Sequence, residues 1–141
     1  MSAAPSFVVE DQSETLDFLV RQLRPERRVD THGAVVLLTA TQAYKLKRAV
    51  KFPYMDFSTA ARRRAMCEAE IAINRPAAPE IYLGVAPVLR TASGLALGGI
   101  GEAAEEAVDW LVVMRRFDEE GLLDRLAERG HRGAVQGVAL G

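Results

Sequence analysis

The stretch from Gln42 to Arg48 limits the fold more than any other part of the chain. Its residues alternate. Tyr44 and Leu46 fall on one side of an extended backbone, and Ala43, Lys45 and Lys47 fall on the other, because strand side chains point to opposite faces in turn. A small residue two places before a lysine on one strand face has a chemical use. Ala43 leaves room for a flat ring, and the ammonium of Lys45 can meet a phosphate. The same residues also suit a solvated basic edge strand, in which lysines discourage pairing with other chains.

The flanking sequence supplies partners for this strand. Val29 to Thr31 reads as a short strand, Gly33 breaks the run, and Ala34 to Thr39 is a strand rich in valine and leucine. Thr39 to Gln42 turns the chain into the lysine strand, so Val29 to Arg48 can form three antiparallel strands with tight connections. The first connection holds His32 and Gly33; without further glycines it reads as a turn rather than a phosphate-cradling loop. Upstream, Met1 to Gln12 reads as a loose end. A helix starts at Ser13, taken as its N-cap, with Glu14 and Asp17 in the first turn and Leu16, Leu19, Val20 and Leu23 on one face. Pro25 closes it.

Downstream, Ala49 to Phe57 is apolar and, with Pro53 inside it, reads as a loop crossing the sheet. Ser58 is expected to cap a long helix from Thr59 to about Asn74. Ala65, Met66, Ala69 and Ile73 form its apolar stripe. Glu70 lies at the border of that stripe, where its carboxylate can face the sheet and meet Lys45. Glu68 competes for this role from the other side of the helix. A surface pairing of Glu70 with Arg63 or Arg75 is the structural alternative. Ile81 to Leu89 follows as a strand bent at Gly84 and Pro87, with a turn at Ser93 and Gly94 and a return through Leu95 to Leu97. Gly98 to Glu106 is a loop, and Val108 to Phe117 is a buried strand by its near-continuous apolar run. Glu119 to Arg129 is an amphipathic helix through Leu122, Leu123, Leu126 and Ala127, and the remainder has little pattern.

Composition removes several function classes. A net charge of −1 over 141 residues implies no broad field for nucleic acid. One cysteine, Cys67, excludes an internal disulfide or a cysteine metal cluster, and His32 and His131 lack metal-ligand spacing. There is no long apolar run and no basic-then-apolar leader, so no membrane contact and a cytoplasmic location are expected.

The order is three strands, a helix, two or three strands and a helix, with a lysine on the third strand and a glutamate on the next helix. It resembles the N-terminal lobe of a protein-kinase-like phosphotransferase, whose third strand carries a Val-Ala-Ile-Lys pattern. Several blocks narrow the likeness: His32 with the strand after it, Ala43 to Lys47, Met55 to Thr59, Arg62 to Arg64, Cys67 to Glu70, Asn74–Arg75, Ile81 to Val85 and Val113 to Phe117. Together they look like a bacterial family usually described as aminoglycoside-phosphotransferase-like, some members of which are fused to a P-loop ATPase domain. The likeness runs from about Val29 to Arg129.

The resemblance implies an α+β fold: an antiparallel sheet of about five strands, a long helix after the third, and flanking N- and C-terminal helices. It divides the chain into an extension with a helix (1–28), the kinase-like lobe (29–117), a helix leading toward a second lobe (118–130) and a tail (131–141). It also implies ATP as cofactor. Lys45 would bind the α- and β-phosphates and Glu70 would hold Lys45 by an ion pair. Ala43 would lie against the adenine and Met114 to Arg116 would form a hinge at the adenine edge, while Lys47 would sit at the rim. Arg75–Pro76 departs from the family pattern, which tends to continue with a second basic residue. The larger departure is the catalytic-loop aspartate and the asparagine and aspartate for magnesium. His131–Arg132–Gly133 opens like a catalytic loop, but no aspartate follows.

No catalytic or metal-binding residue is therefore assigned in this chain. The expectation is the nucleotide-binding portion of a small-molecule kinase that phosphorylates a hydroxyl, cut short and inactive by itself. Magnesium and the small-molecule acceptor would belong to a full-length form. The alternative is a non-catalytic, stand-alone nucleotide- or protein-binding module in which Lys45 and Glu70 are a structural pair.

Overall fold

A computed structural model describes residues 7–104 and 106–116. The chain folds as α+β, with a six-stranded antiparallel sheet in the order β1-β2-β3-β8-β6-β7 and a separate hairpin, β4-β5. The sheet strands are β1 (Arg27–Asp30), β2 (Ala34–Leu38), β3 (Gln42–Lys47), β6 (Tyr82–Thr91), β7 (Gly94–Leu97) and β8 (Asp109–Arg115). The hairpin pairs β4 (Lys51–Phe52) with β5 (Met55–Asp56), and the helices among the described residues are α1 (Ser13–Leu23) and α2 (Ala60–Asn74). The three expected N-terminal strands are present, and the sheet has one strand more than expected.

The last strand in sequence, β8, inserts between β3 and β6. It pairs Ala43 with Met114 and Lys45 with Val112 on one side, and Val85 with Val112 on the other. The lysine strand therefore lies inside the sheet with neighbours on both edges. That overturns the basic-edge-strand alternative, because β3 leaves no row of backbone groups for lysines to protect.

The two sheet faces carry separate apolar clusters. Val36, Leu38, Ala43, Tyr82, Trp110, Val112 and Met114 pack with Cys67 of α2 on one face. Val35, Leu37, Leu46, Leu111 and Val113 pack with Leu19 of α1 on the other. Period-two alternation along β2, β3 and β8 produces this division, and it sends Ala43, Lys45 and Lys47 toward α2.

Several local expectations are corrected. Residues 7–12 are not a loose end: Val9 donates to the Ala49 carbonyl at 2.8 Å, Lys51 to the Phe7 carbonyl at 2.8 Å, and Val8 bridges Val50. Ser13 is not the cap of α1. Gln12 stands at that position with no side-chain cap bond, while the Ser13 N–H and hydroxyl both reach back to Asp11. Thr59, rather than Ser58, caps α2, its hydroxyl oxygen accepting from the Arg62 N–H at 3.1 Å. The segment from Ala49 to Phe57 contains the β4-β5 hairpin, whose Phe52 and Tyr54 rings stack at 5.5 Å.

The face of α2 differs most from expectation. Its buried residues are Arg63, Cys67, Glu70 and Asn74, a polar stripe at helical spacing. Ile73 is 53% exposed and Ala65 is exposed, so the stripe of Ala65, Met66, Ala69 and Ile73 does not form the contact face. The sheet beneath explains the reversal. It offers Lys45, Lys47 and Asp109 as buried charged groups, and buried charges require partners of opposite sign. The helix expected at Glu119 to Arg129 and the tail after it lie outside the described residues.

Candidate functional site

At the centre of the α2–β3 contact one carboxylate receives two ammonium groups. Lys45 Nζ lies 2.7 Å from Glu70 Oε2, and Lys47 Nζ lies 2.5 Å from Glu70 Oε1. All three residues are buried. The two lysines share a face because they are two apart on a strand. Glu70 meets them because it lies on the inward face of α2, one turn beyond Cys67. The expected Lys45–Glu70 pair is thus present. The expected place of Lys47 at the rim is not: Lys47 is fully buried, with its ammonium 5.7 Å from the Phe57 ring centroid. The reason is that α2, through Glu70, and the Phe57 ring cover this face of β3 to its end.

The competing glutamate is placed elsewhere. Glu68 faces outward and pairs with Arg64 at 3.3 Å on the helix surface. Both line a cleft of about 430 Å³ between α2 and β6, where the Arg64 guanidinium lies 4.5 Å from the Trp110 ring centroid.

Charge and burial compete at the triad. Burial pushes the Glu70 carboxyl up, but the nearby charges of Lys45 and Lys47 and their hydrogen bonds outweigh it, so its pKa lies below the ordinary value. Burial pulls Lys47 down, with Lys45 adding to the effect, and Glu70 opposes this without cancelling it. Cys67, one helical turn before Glu70, is pushed up to about 12, chiefly by burial.

A second buried cluster holds the N-terminal end of α2. Arg63 donates from Nε to Asp109 Oδ1 at 3.0 Å, from Nη1 to the Phe57 carbonyl at 2.9 Å, and from Nη2 to Glu10 at 3.1 Å. Gln12 ties this cluster to the lysine strand. Its Nε2 donates to Asp109 Oδ2 at 2.8 Å and to the Lys47 carbonyl at 3.0 Å, and its Oε1 accepts from the Ala49 N–H at 2.9 Å. Asp109 is raised, because its burial outweighs Arg63 and Gln12. Glu70, with two cations, moves down; Asp109, with one, moves up.

Sequence reasoning placed Lys47 only at the rim and missed Arg63, Asp109 and Gln12 as members of this site. The available signal was the spacing of Arg63, Cys67, Glu70 and Asn74, which puts an arginine and a glutamate on one helix face two turns apart.

The remaining expected residues lie on β3 and at the end of β8 or just after it. Ala43 and Met114 are cross-strand partners and both are fully buried within the α2-side cluster. The N–H groups of Arg115 and Arg116 are donated to the carbonyls of Ile81 and Thr41, each at 2.8 Å. The Arg116 guanidinium reaches the Thr39 carbonyl at 2.5 Å and Glu26 at 3.0 Å, which ties the end of β8 to the β2–β3 turn. Among the described residues no three metal-ligating side chains gather to hold an ion, and no helix is long and apolar enough to cross a membrane.

No protein-family model matches the chain, and no solved structure matches it. Over 112 residues, 78% of this chain, it is 31% identical to an uncharacterized protein of Mycobacterium tuberculosis and to one of Mycobacterium bovis. The match takes up 20% of each of those proteins, so the chain spans about a fifth of the length of these relatives.

Proposed function

We propose that residues 29–117 form the nucleotide-binding lobe of an ATP-dependent phosphotransferase of the aminoglycoside-phosphotransferase-like kind, acting in the cytoplasm on a hydroxyl of a small molecule. The observation that carries this reading is the buried pair of Lys45 on the third strand and Glu70 on the following helix, 2.7 Å apart. Kinase-like enzymes use this arrangement to present an ammonium to the nucleotide phosphates. In this reading Lys45 binds the phosphates, Glu70 orients it, Ala43 packs against the adenine, and Met114 to Arg116 border the adenine edge. The N–H groups of Arg115 and Arg116 are held by the carbonyls of Ile81 and Thr41, which fixes this stretch of backbone.

Magnesium is assigned no residue here, since the described residues offer no cluster for it. Its ligands and the catalytic aspartate belong to a further lobe. The relatives extend far beyond the matched segment, which leaves room for such a lobe in them. Phosphoryl transfer depends on positioning and charge stabilisation, so this lobe without those groups would bind nucleotide and turn over little of it.

A second reading is a non-catalytic binding module. The burial of Ala43, Lys45 and Met114 favours it, because a packed face needs no ligand. Titration calorimetry of ATP into the purified chain and its Lys45→Met variant separates the two. Under the nucleotide reading the wild type binds ATP and the variant does not. Glu70 keeps Lys47 as its partner in the variant, so the fold survives. ATP binding that persists in Lys45→Met removes Lys45 from its role; a wild type that binds no nucleotide leaves the module reading.

A further inference from the structure

Glu70 has one negative charge and is shared by two buried ammonium groups. In an isolated lysine–glutamate pair the carboxylate cancels the field of its partner, and a phosphate approaching the lysine must compete with it. Here Lys47 occupies Oε1 at 2.5 Å while Lys45 occupies Oε2 at 2.7 Å, so the charge of Glu70 is divided between them. Lys47 is also the more enclosed of the two. Its ammonium lies against the Phe57 ring, its carbonyl is held by Gln12, and its side chain has no exposed surface.

We infer that Lys47 is a positioning residue of the phosphate site, holding and neutralising Glu70 so that the charge of Lys45 is available to a polyphosphate. The inference rests on the nucleotide reading and adds to it a division of labour between the lysines. Lys45 touches the phosphates. Lys47 never does; it anchors Glu70 to β3 and keeps the triad positive, so that α2 stays tied to the sheet while Lys45 turns part of its hydrogen-bonding capacity to the ligand. A lysine ammonium has three donors, so the bond to Glu70 takes up only part of what Lys45 can offer.

A purely structural ion pair makes a different prediction. It would affect stability and every ligand alike, whereas a charge-supplying residue affects charged ligands selectively. The test compares ATP, inorganic tripolyphosphate and adenosine on the whole chain, for wild type, Lys47→Met, Lys47→Gln and Lys47→Arg, with circular dichroism to verify folding. Lys47→Gln keeps an N–H donor for Glu70 and carries the comparison if Lys47→Met does not fold.

The expected result is a loss of about tenfold or more in ATP and tripolyphosphate affinity on removing the charge, the scale of one buried unit charge at close range. Adenosine affinity should stay within about twofold, and Lys47→Arg, which keeps the charge, should retain ATP binding. Equal weakening of ATP and adenosine, or unchanged ATP binding in Lys47→Gln, overturns the role of Lys47 and leaves the nucleotide reading standing. A wild type that binds neither ATP nor tripolyphosphate overturns both, and the wild-type titration alone reveals that outcome.

Discussion

Arg63 of α2 and Asp109 at the start of β8 join through Nε and Oδ1 at 3.0 Å, with neither side chain exposed. Arg63 lies two turns before Glu70 on the same helix face, so α2 is fastened to the sheet at two levels, once to β8 and once to β3. Two fixed points along a helix set its rotation as well as its distance. Gln12 links the levels by reaching both Asp109 and the Lys47 carbonyl, which brings the N-terminal segment into the frame of the site.

Breaking this fastening should cost more than deleting a surface ion pair. Arg63→Met leaves Asp109 buried with only Gln12 and the Trp110 N–H as donors. A loss of about 3–5 kcal/mol is expected, the usual penalty for an uncompensated buried charge. Removing both charges, Arg63→Met with Asp109→Leu, should recover part of the loss, because an apolar pair carries no desolvation cost. Urea denaturation of the two single variants and the double variant checks this. A double variant whose loss is the sum of the singles contradicts the coupling.

Gly84 is the glycine whose replacement the backbone resists most clearly. Its φ is +150°, and a Cβ built there would lie 2.5 Å from the Ile100 Cγ2 methyl. It sits at the register shift between β6 and β8, and Ile100 cannot simply move aside, because the N–H of the next residue, Gly101, is held by the Val85 carbonyl at 2.9 Å. Gly84→Ala should destabilise by about 1–3 kcal/mol. Gly94 is a control: its φ is +122°, but a Cβ would meet nothing within 4 Å. Gly94→Ala carries the backbone cost alone, about 1–2 kcal/mol. Thermal melts of the two variants should place Gly84→Ala lower.

What could be read in the sequence was whatever local periodicity determines. Ala43, Lys45 and Lys47 share a face because strands alternate, and Glu70 followed from its place on the next helix. The depth of Lys47 was not legible, because it depends on Glu70 of α2 and the Phe57 ring closing over the end of β3. The face of α2 was misread for a related reason. Hydrophobicity picked out Ala65, Met66, Ala69 and Ile73, but the helix packs on charged groups from β3 and β8, and their pairing outranks the apolar stripe. Residues 7–12 looked loose because their bonds go to Ala49 and Lys51 and, through Gln12, to Asp109. The caps of α1 and α2 shifted by one position, a choice that backbone geometry makes between neighbouring hydroxyl and amide residues.

Cys67 should be inert while the protein is folded. It is fully buried beside the Trp110 carbonyl, and its pKa near 12 leaves almost no thiolate at pH 8. Iodoacetamide should label it on the timescale of unfolding rather than of an exposed thiol, and should label it at once in 6 M guanidinium, a concentration of about the order that unfolds most domains. Quick labelling of the native chain would mean that α2 opens readily from the sheet.

The triad should also give an acid dependence of stability with a defined sign. The Glu70 carboxyl is lowered from its usual 4.5, since the attraction of Lys45 and Lys47 exceeds the burial that pushes it up. Its folded pKa is therefore below its unfolded one. The stability it contributes is fully present above about pH 4.5 and is lost as the pH falls through the folded value. Asp109 works in the opposite sense. Burial raises it from 3.8, so its contribution is fully present below about that pH and is lost as the pH rises through its folded value. The two partly offset each other in the wild type, so the comparison must isolate Glu70. Glu70→Gln retains the shape but leaves two ammonium groups sharing a neutral amide, and should cost about 3–5 kcal/mol at pH 7. That gap between wild type and variant should narrow as the pH is taken below about 4.5, because protonation removes from the wild type the charge that the variant already lacks. Urea midpoints measured at several pH values for both proteins give the gap directly. A gap that stays constant down to acid unfolding would mean that Glu70 does not carry the charge pairing Lys45 and Lys47.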